Sequence, residues 1–411
     1  MSLVPRLGKE AYTPAGVAER RRWVEERTGA RLPHVGAYSI DSQRMRGNVE
    51  NPIGAVQMPL GVAGPLRIDG EHARGEFYVP LATTEGALVR SYERGMVALT
   101  RAGGARVRIW ADENRVAPLF ELGDVAEAAE FAREVLLSFE AIRAEAESTT
   151  RHGRLLRLDC HPIGRSVIVD FRYHTGDAQG MNLAVKATDQ ACRWIVAHTR
   201  ARRYSIFSGY DSEKRASGAL FSGGKGKRVS AGALLPRGLV ESYLHSTPRA
   251  LSEMWRRTVL GHLEAASIGY NGHYANGLAA LFIACGQDVA NVANSAVGIT
   301  SFEVTETGDL HASVTLPALS VATVGGGTAL GTSRECLEML SCFGAGGAPK
   351  LAEIAAATLL AGEISMGAAI ASGEFVAAHE TYGRNRPDRP ERSEAGETPE
   401  APEAPKGGAM P

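Results

Sequence analysis

The segment Tyr270–Gly298 reads YNGHYANGLAALFIACGQDVANVANSAVG and combines a long apolar run with a few polar residues. Its middle is apolar and rich in small residues, at a length that suits a buried helix. Polar side chains flank that middle, with His273 and Asn276 near the start and Asp288 further on. A carboxylate in apolar surroundings costs several kcal/mol unless it is paired. Asp288 is therefore either a capped or ion-paired core residue, or a residue kept there for chemistry.

The composition is that of a soluble globular protein long enough for two or three packed units. The net charge of −1 over 411 residues argues against binding nucleic acid through bulk charge. The five cysteines are scattered without CxxC spacing, so neither a metal site nor a disulfide framework is predicted, and a reducing compartment fits.

Neither a secretory signal nor a membrane span is expected. Residues 1–22 are charged and lack an apolar core, and the apolar stretch Leu351–Ala378 is interrupted by Glu353, Glu363 and Glu374. These features predict a cytoplasmic protein without membrane contact.

Four regions follow from the patterns along the chain. A charged helical pattern predicts a small helical N-terminal piece at 1–52. The order helix, strand, strand, helix, strand in 116–206 predicts a small α+β module of split βαβ type. The polar loop 207–217 follows this module, and residues 53–115 and 218–385 lie on either side of the module and the loop. The Pro- and Glu-rich stretch 386–411 predicts a disordered tail.

Two local patterns suggest ligand contacts. The loop HTGDAQGMN at 174–182 is rich in glycine and could cradle a phosphate through backbone N–H groups, although it is not the GxGxxG of a Rossmann fold. Thr83 or Thr84 is predicted to cap a helix that carries Leu88, with Glu85 in its first turn. An acidic residue there commonly complements the helix dipole.

Four ionisable residues beside small neighbours form the candidate catalytic set: Glu85, Lys214, Asp288 and His379. A lysine between two carboxylates could stabilise an oxyanion and relay protons, and a histidine could protonate a leaving group. Their spacing does not bring them together by itself, and the alternative is a surface lysine and a core histidine.

Longer strings carry a family resemblance. ENPIG (50–54), PLGVAGPL (59–66), ATTEG (82–86), TGDAQGMN (175–182), GKGKRV (224–229), NGHYANGLAALFIACGQD (271–288), TVGGGT (323–328) and His379 with Arg384 occur in the family's order. From about Val49 to Arg384 the chain resembles the catalytic portion of class I 3-hydroxy-3-methylglutaryl-coenzyme A (HMG-CoA) reductases.

The resemblance implies two hydride transfers from NADPH, which convert HMG-CoA to mevalonate and free CoA. Lys214 would polarise the thioester and then the aldehyde carbonyl, and Asp288 would bridge Lys214 and Glu85. Glu85 would deliver a proton to the aldehyde-level intermediate, and His379 would protonate the departing thiolate.

The resemblance also implies binding residues. For the cofactor they are Thr150, Arg151, Asp177, Gly180, Met181, Asn182, Gly325, Gly326 and Arg384, with Thr150 and Arg151 meeting the 2′-phosphate of NADPH. For the substrate they are Arg115, Ser208, Arg215, Arg257, His273 and Asn276. An Arg suits a phosphate because its fork can pair bidentately.

The implied fold is a large α/β domain, made of residues 53–115 and 218–385, around a central helix formed by the 270–298 segment. It would carry an inserted ferredoxin-like α+β cofactor domain and the helical N-terminal piece. The active site would lie between subunits, so a homodimer or higher homo-oligomer is implied.

This sequence departs from the family pattern near the predicted substrate carboxylate. The loop SGYDSEKRA is one residue shorter, with Glu213 in place of an Asp and Arg215 in place of a second Lys. Arg257 aligns with a family lysine. Two other functions are therefore considered: a reductase of a related acyl-CoA thioester, and a non-catalytic acyl-CoA sensor. The retained ionisable set argues against the sensor, because binding alone does not need it.

Overall fold

The computed structural model describes residues 3–373, so His379, Arg384 and the predicted tail lie outside the described residues. The strands are β1 (Leu60–Asp69), β2 (Arg74–Ala82), β3 (Ala105–Val116), β4 (Leu119–Glu121), β5 (Arg154–Ile163), β6 (Ser166–His174), β7 (Arg203–Ser205), β8 (Lys225–Leu235), β9 (Ile299–Val304) and β10 (Leu310–Leu319). The helices are α1 (Pro14–Thr28), α2 (Pro33–Gly36), α3 (Leu88–Arg101), α4 (Val125–Leu137), α5 (Phe139–Glu147), α6 (Met181–His198), α7 (Arg237–Tyr243), α8 (Pro248–Glu264), α9 (Tyr274–Ala284), α10 (Val292–Ser295), α11 (Gly331–Met339) and α12 (Gly347–Ser372).

A single mixed sheet runs through the molecule in the order β7-β4-β6-β3-β8-β10-β9, with β1 on β3, β2 on β1 and β5 on β6. The long strand β3 is shared, since it pairs with β8 along most of its length and with β6 at its last three residues. Buried apolar residues nevertheless form separate large cores. One draws on 63–107 and 229–368, and the other only on 116–201. The second core falls within the stretch predicted as the small domain.

The small core has the strand order β7-β4-β6-β5, with antiparallel pairing throughout. This is the arrangement of a ferredoxin-like βαββαβ unit, and it confirms the predicted α+β insertion. Asp124 begins α4 by accepting the backbone N–H groups of Ala126 and Glu127. The sequence missed β4, because three residues are too few to show an alternating pattern.

The prediction that 270–298 forms the central helix is wrong. Helix α9 has only 11 residues, and the chain then turns at Gly286 with φ +63. A Cβ at Gly286 would lie 2.6 Å from the carbonyl oxygen of Gly327, so the turn requires glycine. Asp288 then caps a short 3-10 turn. These breaks divide the segment into short pieces, which one apolar pattern had concealed.

The central helix is α12, which packs against α3, α8, α9, β8 and β10. It is the one helix of the described residues long and apolar enough to cross a membrane, and 83% of its apolar window is buried within the chain. Its acidic residues are partnered inside the protein. Glu353, for example, accepts the backbone N–H groups of Glu71, His72 and Ala73. We therefore interpret α12 as a core helix whose buried carboxylates bind loops.

Helix α3 crosses α12 at Gly95, where a Cβ would lie 1.8 Å from the carbonyl oxygen of Ala361. We expect Gly95→Ala to destabilise the protein by about 1–3 kcal/mol, because the helices cannot separate without losing core contacts. Gly261→Ala on the exposed side of α8 is the control, since nothing lies within 4 Å of its added Cβ. The control should stabilise α8 by ~0.5–1 kcal/mol. Equal melting temperatures for the two variants in thermal unfolding would contradict this account.

Candidate active site

Lys214 and Asp288 form an ion pair, with the Lys214 ammonium 2.8 Å from Asp288 Oδ2. Their side chains are 44% and 40% exposed, so the carboxylate is not buried as the apolar sequence around it suggested. Asp288 Oδ1 also accepts the backbone N–H of Ala290. Asp288 therefore caps a turn and pairs with a lysine at the same time, and the pair remains open to solvent.

The pair lies at a cavity of about 800 Å³. The same cavity is lined by Gly180, Met181 and Asn182 of the glycine-rich loop and by Gly325 and Gly326. Five of the predicted cofactor residues thus line the same cavity as two of the predicted catalytic residues. The structure brings these groups together from the small domain, the connecting loop and the large domain.

Because glycine has no side chain, the backbone itself faces the cavity at Gly180, Gly325 and Gly326. Gly180 is the N-cap of α6 with φ +68 and no side-chain cap, so the first N–H groups of an 18-residue helix are available to an anion. Gly325 and Gly326 also have positive φ, and open space lies where a side chain would be. This environment fits a phosphate-bearing cofactor.

Asp177 belongs to the glycine-rich loop but does not line the cavity. Its carboxylate accepts the N–H groups of Gly346 (2.8 Å) and Ala348 (3.0 Å) at the start of α12, and its carbonyl accepts the N–H of Thr323 (2.9 Å). The residue predicted to bind cofactor therefore connects the glycine-rich loop to the central helix. Its carboxylate complements the helix dipole of α12.

Thr150 and Arg151 lie between α5 and β5, outside the cavity wall. Thr150 Oγ1 accepts the N–H groups of His152 and Gly153, which makes a tight turn. An added Cβ at Gly153 would meet Leu183 of α6 at 2.5 Å, so the turn packs beside the glycine-rich loop. Arg151 is exposed there.

Glu85 lies in a second cavity of about 370 Å³ with His273 and Asn276. The Asn276 amide donates to both carboxylate oxygens of Glu85 at 3.1 Å. The predicted capping is wrong, since α3 begins at Leu88 after Ala87, whose φ is +70. The Thr83 hydroxyl instead accepts the N–H of Glu85 and shapes the loop before the helix.

His273 is packed against Tyr92 and Glu363, two residues that the sequence analysis did not select for the site. The Tyr92 hydroxyl lies 3.2 Å from Nδ1, the two rings stack at 5.2 Å, and Glu363 Oε1 lies 3.7 Å from Nδ1. Burial lowers the pKa of His273, while the Glu363 charge opposes this shift. Burial thus favours the neutral form of the imidazole.

The two cavities lie at opposite ends of α9. Asn276, which holds Glu85, is in the first turn of α9. Asp288 lies beyond Ala284, the last residue of α9, after the turn at Gly286. Eleven residues of α-helix span about 16 Å. One chain thus assembles Lys214 with Asp288, and Glu85 with Asn276 and His273, but leaves these two groups apart.

The chain is similar to known proteins over most of its length. A family model for hydroxymethylglutaryl-coenzyme A reductase matches residues 16–384. The chain is 44% identical over 382 residues to the 3-hydroxy-3-methylglutaryl-coenzyme A reductase of Methanothermobacter thermautotrophicus, covering 91% of this chain and 96% of that protein. The chain belongs to the HMG-CoA reductase family. The reductase of Haloferax volcanii is 42% identical, with 91% and 95% covered.

A solved structure of a class II HMG-CoA reductase from Streptococcus pneumoniae, described as bound to NADPH in open conformations, is similar to this chain. The TM-score is 0.65 at 17% identity, and the match covers 86% of this chain and 96% of that one. At this identity the likeness shows a shared fold. The class I resemblance of the sequence stays a prediction.

Within this HMG-CoA reductase fold, Arg115 and Ser208 support the loop 207–217. Arg115 is fully buried, pairs with Asp170 at 3.0 Å and lies 4.6 Å from the ring of Tyr210. Burial lowers the pKa of Arg115, and Asp170 opposes this. Ser208 donates to the carbonyl of Ala117 and accepts the N–H of Tyr210. Both predicted substrate residues are engaged within the chain.

Arg215 and Arg257, the remaining predicted substrate residues, are exposed and line neither cavity. Arg215 belongs to the loop 207–217, and Arg257 lies on α8.

Lys225 is a further residue that the sequence analysis missed. Its ammonium pairs with Glu213 and lies 3.1 Å from the sulfur of Met181. Burial lowers the pKa of Lys225 to about 8, while Asp211 and Asp288 act in the opposite direction. The signal was present, because Lys225 and Lys227 occupy the alternate, buried positions of a strand. Lysine at inward positions of a strand is unusual enough to mark a buried charge.

Proposed function

We propose that the protein is an NADPH-dependent HMG-CoA reductase, which reduces HMG-CoA to mevalonate and free CoA for isoprenoid precursor synthesis. The observation that carries this proposal is the Lys214–Asp288 pair in one cavity with the Gly180–Asn182 loop and the Gly325–Gly326 turn. Family membership supports the reaction and the cofactor.

The chain's own groups supply charge and protons. The Lys214 ammonium would donate a hydrogen bond to the thioester oxygen, where negative charge develops, and Asp288 would hold that ammonium in place through their ion pair. Bound NADPH would supply a hydride in each of the two reductions. His379 is proposed to protonate the thiolate that leaves after the first reduction, and Glu85 to supply a proton in the second.

Cofactor binding is proposed at Gly180, Met181, Asn182, Gly325 and Gly326, with Arg384 from beyond the described residues. The uncapped start of α6 would bind phosphate, and Thr150 with Arg151 would meet the 2′-phosphate. Asp177 would act indirectly by holding the loop. HMG-CoA would lie toward His273 and Asn276, with Arg115 and Ser208 supporting the loop and Arg215 and Arg257 at its carboxylate end.

We propose a homodimer or higher homo-oligomer whose active site combines two copies of the chain. Glu85, Asn276 and His273 of one copy would face Lys214 and Asp288 of another. Their separation by the length of α9 within one chain supports this, as does the partial exposure of the Lys214–Asp288 pair. Exposed apolar side chains at Val56, Leu60 and Val62 provide surface for contact. A cytoplasmic location is part of the proposal.

The deciding experiment mixes the purified protein with NADPH and HMG-CoA and follows absorbance at the nicotinamide band, with mevalonate and free CoA as products. Turnover of HMG-CoA supports the proposal. Turnover only with another acyl-CoA would favour the related thioester reductase suggested by Glu213, Arg215 and Arg257. Binding without turnover of any thioester would favour the sensor.

Arg151→Ala tests the choice of NADPH. We expect the KM for NADPH to rise by about 10–100-fold and the KM for NADH to stay unchanged, because only NADPH carries the 2′-phosphate. Arg200→Ala is the control, since Arg200 is a similarly exposed arginine of the same region that pairs with Glu130. An equal rise in the KM for NADPH and the KM for NADH would mean that Arg151 does not contact the 2′-phosphate.

A further inference from the structure

We propose that Lys225 is a positioning residue for the reaction, which acts through Glu213 to hold the loop 207–217 so that Lys214 faces Asp288. This inference rests on the proposed catalytic role of the Lys214–Asp288 pair. Lys225 is not proposed to touch substrate, because its side chain is 1% exposed.

The backbone around Glu213 is in a conformation that needs support. Ser212 and Lys214, on either side of it, both have φ +53. This left-handed region is disfavoured for residues with a Cβ and persists where surrounding contacts determine it. The Lys214 ammonium reaches Asp288 from this backbone. The strain therefore lies in the turn that aims the proposed catalytic lysine.

The contact of Glu213 with Lys225 lies at the centre of that turn. Lys225 is the first residue of β8 and pairs with Asn114 of β3, so its backbone is held at the edge of that strand pair. Its ammonium also touches Met181 of the glycine-rich loop. One buried cation thus joins the Lys214 loop, the proposed cofactor loop and the rigid sheet.

The charges around Lys225 favour this role. Asp211 and Asp288 raise the pKa of Lys225 against the effect of burial, while Arg115 lowers it. A buried ammonium without a carboxylate partner would be costly, so Lys225 and Glu213 hold each other in place. Loss of either partner would release the turn.

Lys227 provides a matched control in the same strand. It lies two residues along β8, is 4% exposed and pairs with Asp112 at 3.0 Å. Both are buried lysines with a carboxylate partner. Only Glu213, the partner of Lys225, is the residue directly before Lys214. A general cost of removing a buried lysine should therefore be common to the two positions.

The experiment compares kcat, both KM values and the melting temperature of K225M, K225R, E213Q, K227M and K214A in the full-length protein. We expect K225M and E213Q each to lower kcat by about 10–100-fold, because displacing a reacting group by about 1 Å has effects of this size. Both KM values should stay within about threefold. K225R should recover most of the loss, because a guanidinium can also pair with Glu213. K227M should keep kcat per folded molecule within about threefold of wild type.

A variant that carries both K225M and E213Q tests whether the two residues act as one unit. A change in its log kcat that differs from the sum of the two single changes would support this. The inference fails if K225M or E213Q lowers only the melting temperature, or if K227M lowers kcat equally. If K225M does not fold, the kcat values of E213Q and K225R test the role of Lys225. E213Q preserves side-chain volume, and K225R preserves charge.

Retained activity in K214A would instead overturn the proposed role of Lys214. An inactive K214A with fully active K225M and E213Q would overturn only the role of Lys225.

Discussion

Asp288→Asn is expected to lower kcat by about 100–1,000-fold while the protein stays folded. The substitution removes the negative charge that lies 2.8 Å from the Lys214 ammonium. An amide oxygen can still accept the N–H of Ala290, so the cap of the following turn is retained. The loss should therefore fall on charge stabilisation and proton transfer, with small effects on the melting temperature. Steady-state kinetics and thermal unfolding of the same preparation measure both.

Asp124→Asn is the matched control, because Asp124 also caps a helix, α4, through the N–H groups of Ala126 and Glu127. It is an exposed residue at the start of α4 and does not line the Lys214 cavity. Both variants should show similar small shifts in melting temperature, and only Asp288→Asn should lose turnover. If Asp288→Asn lost stability but retained full activity per folded molecule, Asp288 would be a structural cap.

Glu363→Ala is expected to lower the free energy of unfolding by about 3–5 kcal/mol. The buried carboxylate accepts the N–H groups of Gly272 and His273 and the hydroxyl of Thr300. Alanine would leave these buried donors without an acceptor, although it favours the helix itself. The Gly272–His273 turn would also lose its anchor, so HMG-CoA turnover should fall as well. Urea unfolding gives the stability change.

Glu338→Ala on α11 is the control, since Glu338 is an exposed helical glutamate paired with Arg334. Its expected cost is below about 1 kcal/mol, because solvent screens exposed ion pairs. If Glu363→Ala lowered the free energy of unfolding by no more than Glu338→Ala does, water or a neighbouring group would have to replace the lost acceptor. The comparison separates the effect of burial from the effect of removing a charge.

Local patterns predicted much of the fold. The predicted small domain appears as β4-β5-β6-β7 with α4, α5 and α6, apart from the missed short strand β4. The interrupted apolar stretch that begins at Leu351 lies in α12, and Glu353 and Glu363 are buried there. The central helix was misassigned because 270–298 and α12 are both apolar runs, and hydrophobicity alone does not reveal a turn that depends on contact between Gly286 and Gly327.

The sequence by itself determined the family, and with it the expected fold and reaction, because long motifs in a fixed order are specific. It also selected Asp288 as a charge that needs a partner. Only the tertiary structure decided which partners the charges have. Glu85 meets Asn276 across a separation of 191 residues, Asp177 meets the start of α12, and Lys225 meets Glu213. Periodicity reflects only neighbours within a few turns of the chain, whereas ion pairs and hydrogen bonds depend on distances that packing sets.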